Sequence, residues 1–276
     1  MNLKQKKFFE KKAFWLRKSI LMSAKQSGGR GSHLGGTMSC VDILCYLYFG
    51  RILKFNPKKP KWLKRDRMLV GKGHAHLALY HIWSSLGFFS RKKLNEYGKN
   101  NTSLGVQLDI FTPGSEYNTG SLGHVVGIGT GIGLKSKIDE NQFKIYCLVG
   151  DGECESGSIW ESVLNASRLK IKNLIVIVDM NRLSEFQILG PKSDMELKKK
   201  FKSYNWNVEI INGHSFSDME KIFKKKYKNE YPTAIIANTI KGKGVSFMEN
   251  NVDWHHKAPN PEQFQKALSE YEYKIK

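Results

Sequence analysis

The chain has 276 residues, enough to bury a sizeable core, and its 40% hydrophobic content is ordinary for a folded protein. The 45 lysines and arginines against 25 acidic residues give a formal net charge of +20. The lysines are spread along nearly the whole chain, and the densest runs, 198–200 and 224–226, fall on helix-like stretches without a repeating pattern of stacking aromatics. That distribution fits a solvated basic surface that gathers anions better than a nucleic-acid track. No apolar stretch approaches the length of a membrane span, and the charged N-terminus lacks the apolar core of a signal peptide. Cys40, Cys45, Cys147 and Cys154 form no C-x-x-C and no metal spacing, which fits a reducing compartment. The expectation is a cytoplasmic protein.

Phe9, Ala13, Leu16 and Ile20 recur at helical spacing and predict a helix over 8–24. Residues 27–36 are glycine-dense and read as a loop that carries His33 into a helix start. Ser39 and Asp42 resemble a capping box there. Residues 56–60 form a turn, 66–70 a short strand, and 71–75 a second glycine loop bearing His74. A helix over 76–86 follows, in which His76 and His81 read as packing or surface histidines. A polar loop over 100–120 leads to Gly120-Ser121-Leu122, with Ser121 as a helix N-cap. Glycines at 127, 129, 131 and 133 invite a dinucleotide reading, but the third glycine of G-x-G-x-x-G is missing and no strand precedes them. Close packing against a cofactor or another helix explains such a helix better.

The centre of the pattern is Ile145-Tyr146-Cys147-Leu148-Val149 followed by Gly150-Asp151-Gly152, then a helix, then Leu174-Ile175-Val176-Ile177-Val178 ending in Asp179-Met180-Asn181. Parallel strands joined by a right-handed crossover place their carboxyl ends side by side, so Asp151 and Asn181 can share one cation. Mg²⁺ takes oxygen ligands, often one or two from the protein with phosphate oxygens completing the shell. Gly152 leaves room for a phosphate, and a helix starting near Ser158 adds its positive end. His74 and one of His255 and His256 can donate hydrogen bonds to the same anion. Strands at 206–211 and 233–237, a helix at 218–227 and a glycine loop at 241–244 complete one doubly wound α/β domain over 1–276, with a mostly parallel sheet flanked by helices.

These motifs together resemble transketolase. The pairing of Gly150-Asp151-Gly152 with Asn181 is similar to the thiamine diphosphate fingerprint. Gly31-Ser32-His33-Leu34-Gly35-Gly36, the run 66–75 through His74, Thr119-Gly120-Ser121-Leu122-Gly123, Gly157-Ser158-Ile159-Trp160-Glu161 and the run 241–251 occur in the family's order over nearly the whole chain. The length matches the separate N-terminal subunit of a split transketolase. The resemblance implies thiamine diphosphate and Mg²⁺ as cofactors, the metal held by Asp151, Asn181 and the Leu183 carbonyl. It places Gly150, Gly152, Glu153, His74 and His255 around the diphosphate, and Gly120, Ser121 and Leu122 near the cofactor rings. His33, His74 and His255 are the implied catalytic residues, facing a sugar or sugar phosphate. The family's activating glutamate lies in the other half of its chain. The resemblance therefore implies a heterotetramer with two copies of each chain, in which a separate partner binds the pyrimidine ring.

Three departures from the family pattern stand out. Gln107, in Val106-Gln107-Leu108-Asp109, takes the place of a substrate-contacting histidine; it donates hydrogen bonds but carries no proton charge. Ser156 takes the place of a glutamate that links the two cofactors of the dimer, with Glu155 one position earlier. The segment after Asn181 (182–187) is longer than usual. Other readings stay open on the residues alone: the α chain of a 2-oxoacid dehydrogenase, a basic nucleic-acid-binding protein, and a cofactor-binding scaffold without catalysis.

Overall fold

The computed structural model describes residues 1–29, 33–141, 143–184, 188–191 and 193–273. The apolar runs form a five-stranded sheet: β1 (Arg67–Val70), β2 (Ile145–Gly150), β3 (Leu174–Met180), β4 (Asn207–Asn212) and β5 (Thr233–Asn238). Their spatial order is β1-β2-β3-β5-β4, and every pairing is parallel. β2, β3 and β5 bury nearly every residue, as their unbroken aliphatic runs require of strands covered on both faces.

The helices are α1 (Leu3–Gln26), α2 (Leu34–Ser39), α3 (Val41–Phe49), α4 (His76–Leu86), α5 (Val125–Ile138), α6 (Gly157–Arg168), α7 (Ser193–Ser203), α8 (Phe216–Phe223) and α9 (Pro261–Tyr273). Alternate strand residues point to opposite faces, and two separate cores result. Tyr146, Leu148, Ile177 and Ile235 pack into a core with apolar residues of α1 to α4, α8 and α9. Cys147, Val149, Val176, Val178 and Ile236 pack with those of α5, α6 and α7. The sheet is thus wound on both faces, as expected. No helix among the described residues is long and apolar enough to cross a membrane.

The glycines of α5 are explained by close approach. A Cβ on Gly129 would lie 2.7 Å from the Cys147 sulfur, and one on Gly133 would collide with the Ile171 side chain. The helix therefore packs against the sheet and the end of the α6 connection at a spacing that larger residues would prevent. Other expectations need correction. The loop predicted over 27–36 ends at His33, because Leu34, Gly35 and Gly36 already belong to α2. Ser39 and Asp42 form no capping box: α3 begins after Cys40 with no side-chain cap, and both residues are drawn into long-range contacts instead. Ser121 is not an N-cap either, since α5 starts after His124. The helix expected over 218–227 is α8, which ends at Phe223, so the lysines at 224–226 lie past it. α9 was not among the expected elements. In the segment after Asn181, Glu185, Phe186 and Gln187 lie outside the described residues, as do Arg30, Gly31 and Ser32 of the first glycine loop.

His76 and His81 are packing histidines, both buried. The His76 Nε2 lies 2.9 Å from the Tyr97 hydroxyl, and the His81 Nε2 lies 2.9 Å from the Ser23 hydroxyl. Burial pushes the pKa of His76 down to about 3 and that of His81 down to about 4. A depressed histidine is neutral in the fold but takes a proton near 6.5 once unfolded, so its contribution is complete above that value and is lost as pH falls through the folded value. The melting temperature should fall between pH 6.5 and 4, and His81→Gln should fall less steeply. The difference between the two curves isolates His81 from carboxylates titrating in the same range. Parallel curves would show that His81 contributes nothing to the slope.

Candidate functional site

The loops after β1, β2, β3 and β5 converge on a cavity of about 350 Å³ at the carboxyl edge of the sheet. β2 delivers Asp151, which is buried and begins a 3-10 turn over Gly152–Glu155. One of its carboxylate oxygens accepts the Gly152 N–H at 2.9 Å, and the other accepts the N–H of Arg182. Arg182 sits in the left-handed region at φ 63°, which turns the chain sharply beyond β3 and brings its end against that of β2. The Asn181 amide oxygen accepts the Leu183 N–H at 3.1 Å, and its Nδ2 donates to Asp179 at 3.2 Å. Asp151, Asn181 and Leu183 all line the cavity.

Asp179, fully buried at the end of β3, organises the floor. Its carboxylate accepts the Ser39 hydroxyl at 2.6 Å, the Thr239 hydroxyl at 2.5 Å, the Asn181 amide, and the ammonium of Lys72. Burial opposes both charges of the Lys72–Asp179 pair, but mutual attraction outweighs it, holding Asp179 low and Lys72 high. Asp151 differs. Burial, then the negative charge of Asp179, push its carboxyl up, and the N–H bonds from Arg182 and Gly152 only partly offset this. A cation against Asp151 would relieve that penalty.

The histidines form the wall. The rings of His33 and His74 lie 5.2 Å apart, and that of His255 lies 6.3 Å from His74 and 6.5 Å from His33. All three line the cavity; His256 packs edge-on against His33 at 4.4 Å but does not line it. Of the two adjacent histidines, His255 is the one that lines the cavity. Burial, then the charge of Lys72, depress His74 well below the ordinary range; burial, then the charge of Lys241, bring His255 down to about 4. Lys241 is buried, its Nζ 2.7 Å from the Leu183 carbonyl and 2.5 Å from the His255 Nδ1. An ammonium only donates, so Nδ1 accepts and the ring hydrogen sits on Nε2.

Of the remaining expected residues, Gly120, Leu122, Gly150, Gly152 and Glu153 line the cavity, and Ser121 does not. Glu153 is buried and accepts N–H bonds from Gly123 at 2.9 Å and Gly150 at 3.2 Å, bracketing the two loops together. Gln107 lines the cavity too, its amide oxygen accepting the Thr119 hydroxyl at 3.3 Å. Glu155 lines it, whereas Ser156 packs under Gly123. Lys72, Lys241 and Asp179 were not named as site residues from the sequence. Their available signal was a charged or acidic residue at the end of an apolar run or in the glycine loop after one.

The donor set fits a hard cation shared with phosphate. Asp151 offers a carboxylate, Asn181 an amide oxygen, and the Leu183 carbonyl has a second lone pair beyond the one Lys241 takes. Among the described residues no group of three or more His, Cys, Asp or Glu is placed to hold a metal ion, so any cation here depends on other oxygen ligands. Lys72, Lys241 and the donor edge of His255 provide positive charge and hydrogen bonds on the adjoining wall.

Comparison with known proteins agrees with this chemistry. Residues 17–274 match the family model described as transketolase, thiamine diphosphate binding domain. The chain is 38% identical over 251 residues to one of the subunits of the apulose-4-phosphate transketolase of Phocaeicola vulgatus, covering 89% of this chain and 88% of that one. It is 33% identical to a 6-deoxy-6-sulfo-D-fructose transketolase subunit of Clostridium sp. strain MSTE9, covering 87% and 88%. The transketolase of Campylobacter jejuni superposes with a TM-score of 0.88 at 28% identity, over 99% of this chain but 43% of that one. The chain spans less than half the length of that structure. By sequence and by fold, the chain belongs to the transketolase family, of which it carries the thiamine diphosphate-binding domain.

Proposed function

We propose that residues 1–276 act as a single diphosphate-binding domain, the N-terminal subunit of a two-chain transketolase that moves a two-carbon ketol unit from a ketose to an aldose. The observation that carries this reading is the convergence of Asp151, Asn181 and Leu183 beside a wall of histidines and lysines at one edge of the parallel sheet. The names of the relatives that are subunits support the two-chain form.

In this reading Asp151, Asn181 and the Leu183 carbonyl hold Mg²⁺. His74 and His255, with the charges of Lys72 and Lys241, face the diphosphate. Gly120 and Leu122 border the cofactor rings. Bound thiamine diphosphate supplies a nucleophilic thiazolium carbon and an electron sink for the transferred fragment. The chain's own residues bind and orient. His74 and His255, held neutral by burial, act on the ketose as hydrogen-bond donors or acceptors, and His33 completes the wall. Gln107, anchored on Thr119, presents a group that cannot titrate where the family usually has a histidine. This favours a donor sugar outside the usual set, and a phosphorylated one suits the basic surface. The glutamate that activates the pyrimidine ring lies in the other half of the family's chain, so a separate pyrimidine-binding subunit would supply it here, in a cytoplasmic heterotetramer with cofactors between chains.

Two outcomes test the reading. The purified chain should transfer no ketol unit alone and should do so once combined with a pyrimidine-binding subunit. The assay would use a panel of ketose phosphates together with apulose 4-phosphate and 6-deoxy-6-sulfofructose. Transfer by the lone chain, or turnover of a 2-oxoacid without activity on ketoses, would overturn it. Asp151→Asn should weaken Mg²⁺-dependent thiamine diphosphate binding by roughly 100-fold or more, because the metal loses its carboxylate. The melting temperature of the cofactor-free chain should change little, since the replaced carboxylate is one that burial disfavours but its amide substitute accepts only one of the N–H bonds from Gly152 and Arg182. Calorimetry and thermal melts read both. Unchanged binding would remove Asp151 from the metal site.

A further inference from the structure

Behind the cavity lies a buried polar chain that the proposed chemistry does not use. Arg17 of α1 and Asp42 of α3 form a two-point ion pair, Nη1 to Oδ1 at 3.0 Å and Nη2 to Oδ2 at 2.7 Å. Both residues are buried. His214, in the turn after β4, places its Nδ1 2.6 Å from the same Asp42 carboxylate, and its Nε2 accepts the backbone N–H of Ile240 at 2.9 Å. An amide N–H only donates, so Nε2 carries the lone pair and Nδ1 carries the hydrogen. The two contacts therefore specify one tautomer of His214.

The turn is shaped to bring this ring to Ile240. Gly213 donates its N–H to the Asn238 carbonyl at 2.7 Å, and a Cβ on Gly213 would stand 2.5 Å from the Thr239 methyl. The His214 N–H is tied to the Asn212 side chain at 2.9 Å. Ile240 lies two residues beyond the end of β5, where the ladder no longer supplies a partner for its N–H. The imidazole takes over that role. The next residue is Lys241, whose ammonium must reach both the Leu183 carbonyl and the His255 ring from a buried backbone, at 2.7 and 2.5 Å. A shift of the backbone at Ile240 would displace the start of the side chain that makes both contacts.

We infer that His214 is a positioning residue: backed by Asp42 and Arg17, it fixes Ile240 and so aims Lys241, which in turn sets His255 with its hydrogen on Nε2, directed into the cavity. The ligand side of this inference rests on the function proposed above; the tautomer side does not.

The test uses side-chain ¹⁵N NMR of the histidines in the full chain, and calorimetry of the chain combined with a pyrimidine-binding subunit, with thiamine diphosphate and Mg²⁺ as the probe. In the unmodified chain His214 should show the Nδ1–H tautomer and His255 the Nε2–H tautomer; the reverse at either ring overturns the inference without any variant. His214→Asn keeps a donor for Asp42 but places no acceptor near Ile240, whereas His214→Gln extends an amide oxygen toward it. His214→Asn should blur the His255 tautomer signal and weaken cofactor binding roughly tenfold, the scale of one lost hydrogen bond. His214→Gln should recover most of both at a similar melting temperature. A purely structural role would lower the melting temperature of the two variants alike and leave the His255 signal and the affinity unchanged, which would overturn the inference. If the chain combined with a pyrimidine-binding subunit binds no thiamine diphosphate, the proposed function fails, and the ¹⁵N signals of His255 in the two variants still decide the role of His214.

Discussion

The carboxylate of Asp179 is the contact on which the site depends. It sits at the end of the central strand and is reached from the loop after β1 by Lys72, from α2 by Ser39, from the residue after β5 by Thr239, and from its own strand end by Asn181. Four segments distant in sequence are thereby gathered at one point. A buried ion pair of this kind adds little net stability, because desolvating two charges cancels most of their attraction. Its effect is on geometry. With both oxygens of Asp179 engaged, the Asn181 Nδ2 is drawn inward and the amide oxygen is turned toward Leu183 and the cavity. A hydrophobic replacement would pack as well and orient nothing.

Around that point Lys72 is matched by Asp179, and the contacts of Lys241 include the Leu183 carbonyl and the His255 ring. Asp151 and Glu153 are buried carboxylates held mainly by backbone N–H groups, and burial raises both. The protein thus keeps carboxylates that burial disfavours on a loop facing two buried ammonium groups. Holding so much charge out of water is a poor arrangement for the chain alone. A divalent cation and a polyanion bound together, as proposed above, would offset that cost.

Much of this was legible in the sequence where the signal is local. The aliphatic runs beginning at Ile145, Leu174 and Thr233 became strands because a fully buried parallel strand needs such a run, and Gly150-Asp151-Gly152 fell at a strand end as expected. The misreadings arose where a distant contact overrode local preference. Ser39 looks like a cap, but its hydroxyl bonds to a carboxylate 140 residues away. Gly35 and Gly36 look like loop, yet they are helical, small because the Trp254 carbonyl and the His74 ring press against them. Lys72 and Lys241 were hidden among many lysines, since composition does not distinguish a buried ammonium from a solvated one. Only the sheet topology reveals that both stand at strand ends facing one cavity.

The span of these contacts also bears on how the molecule is made. The Asp42–His214 bond joins residues 172 apart, and Gly242 pairs with the Gly35 carbonyl across most of the chain. During synthesis the N-terminal helices therefore emerge long before the partners of Asp42 and Ser39 exist. Arg17 can pair with Asp42 early, over a separation of 25 residues, and so shelter that carboxylate during the wait. Parallel sheets with such distant pairings fold slowly, because the loop-closure cost is met before the contacts that repay it. The cavity, closed by segments from both ends of the chain, is among the last features to assemble, and a chain cut short before Ile240 would hold much of its core without a site.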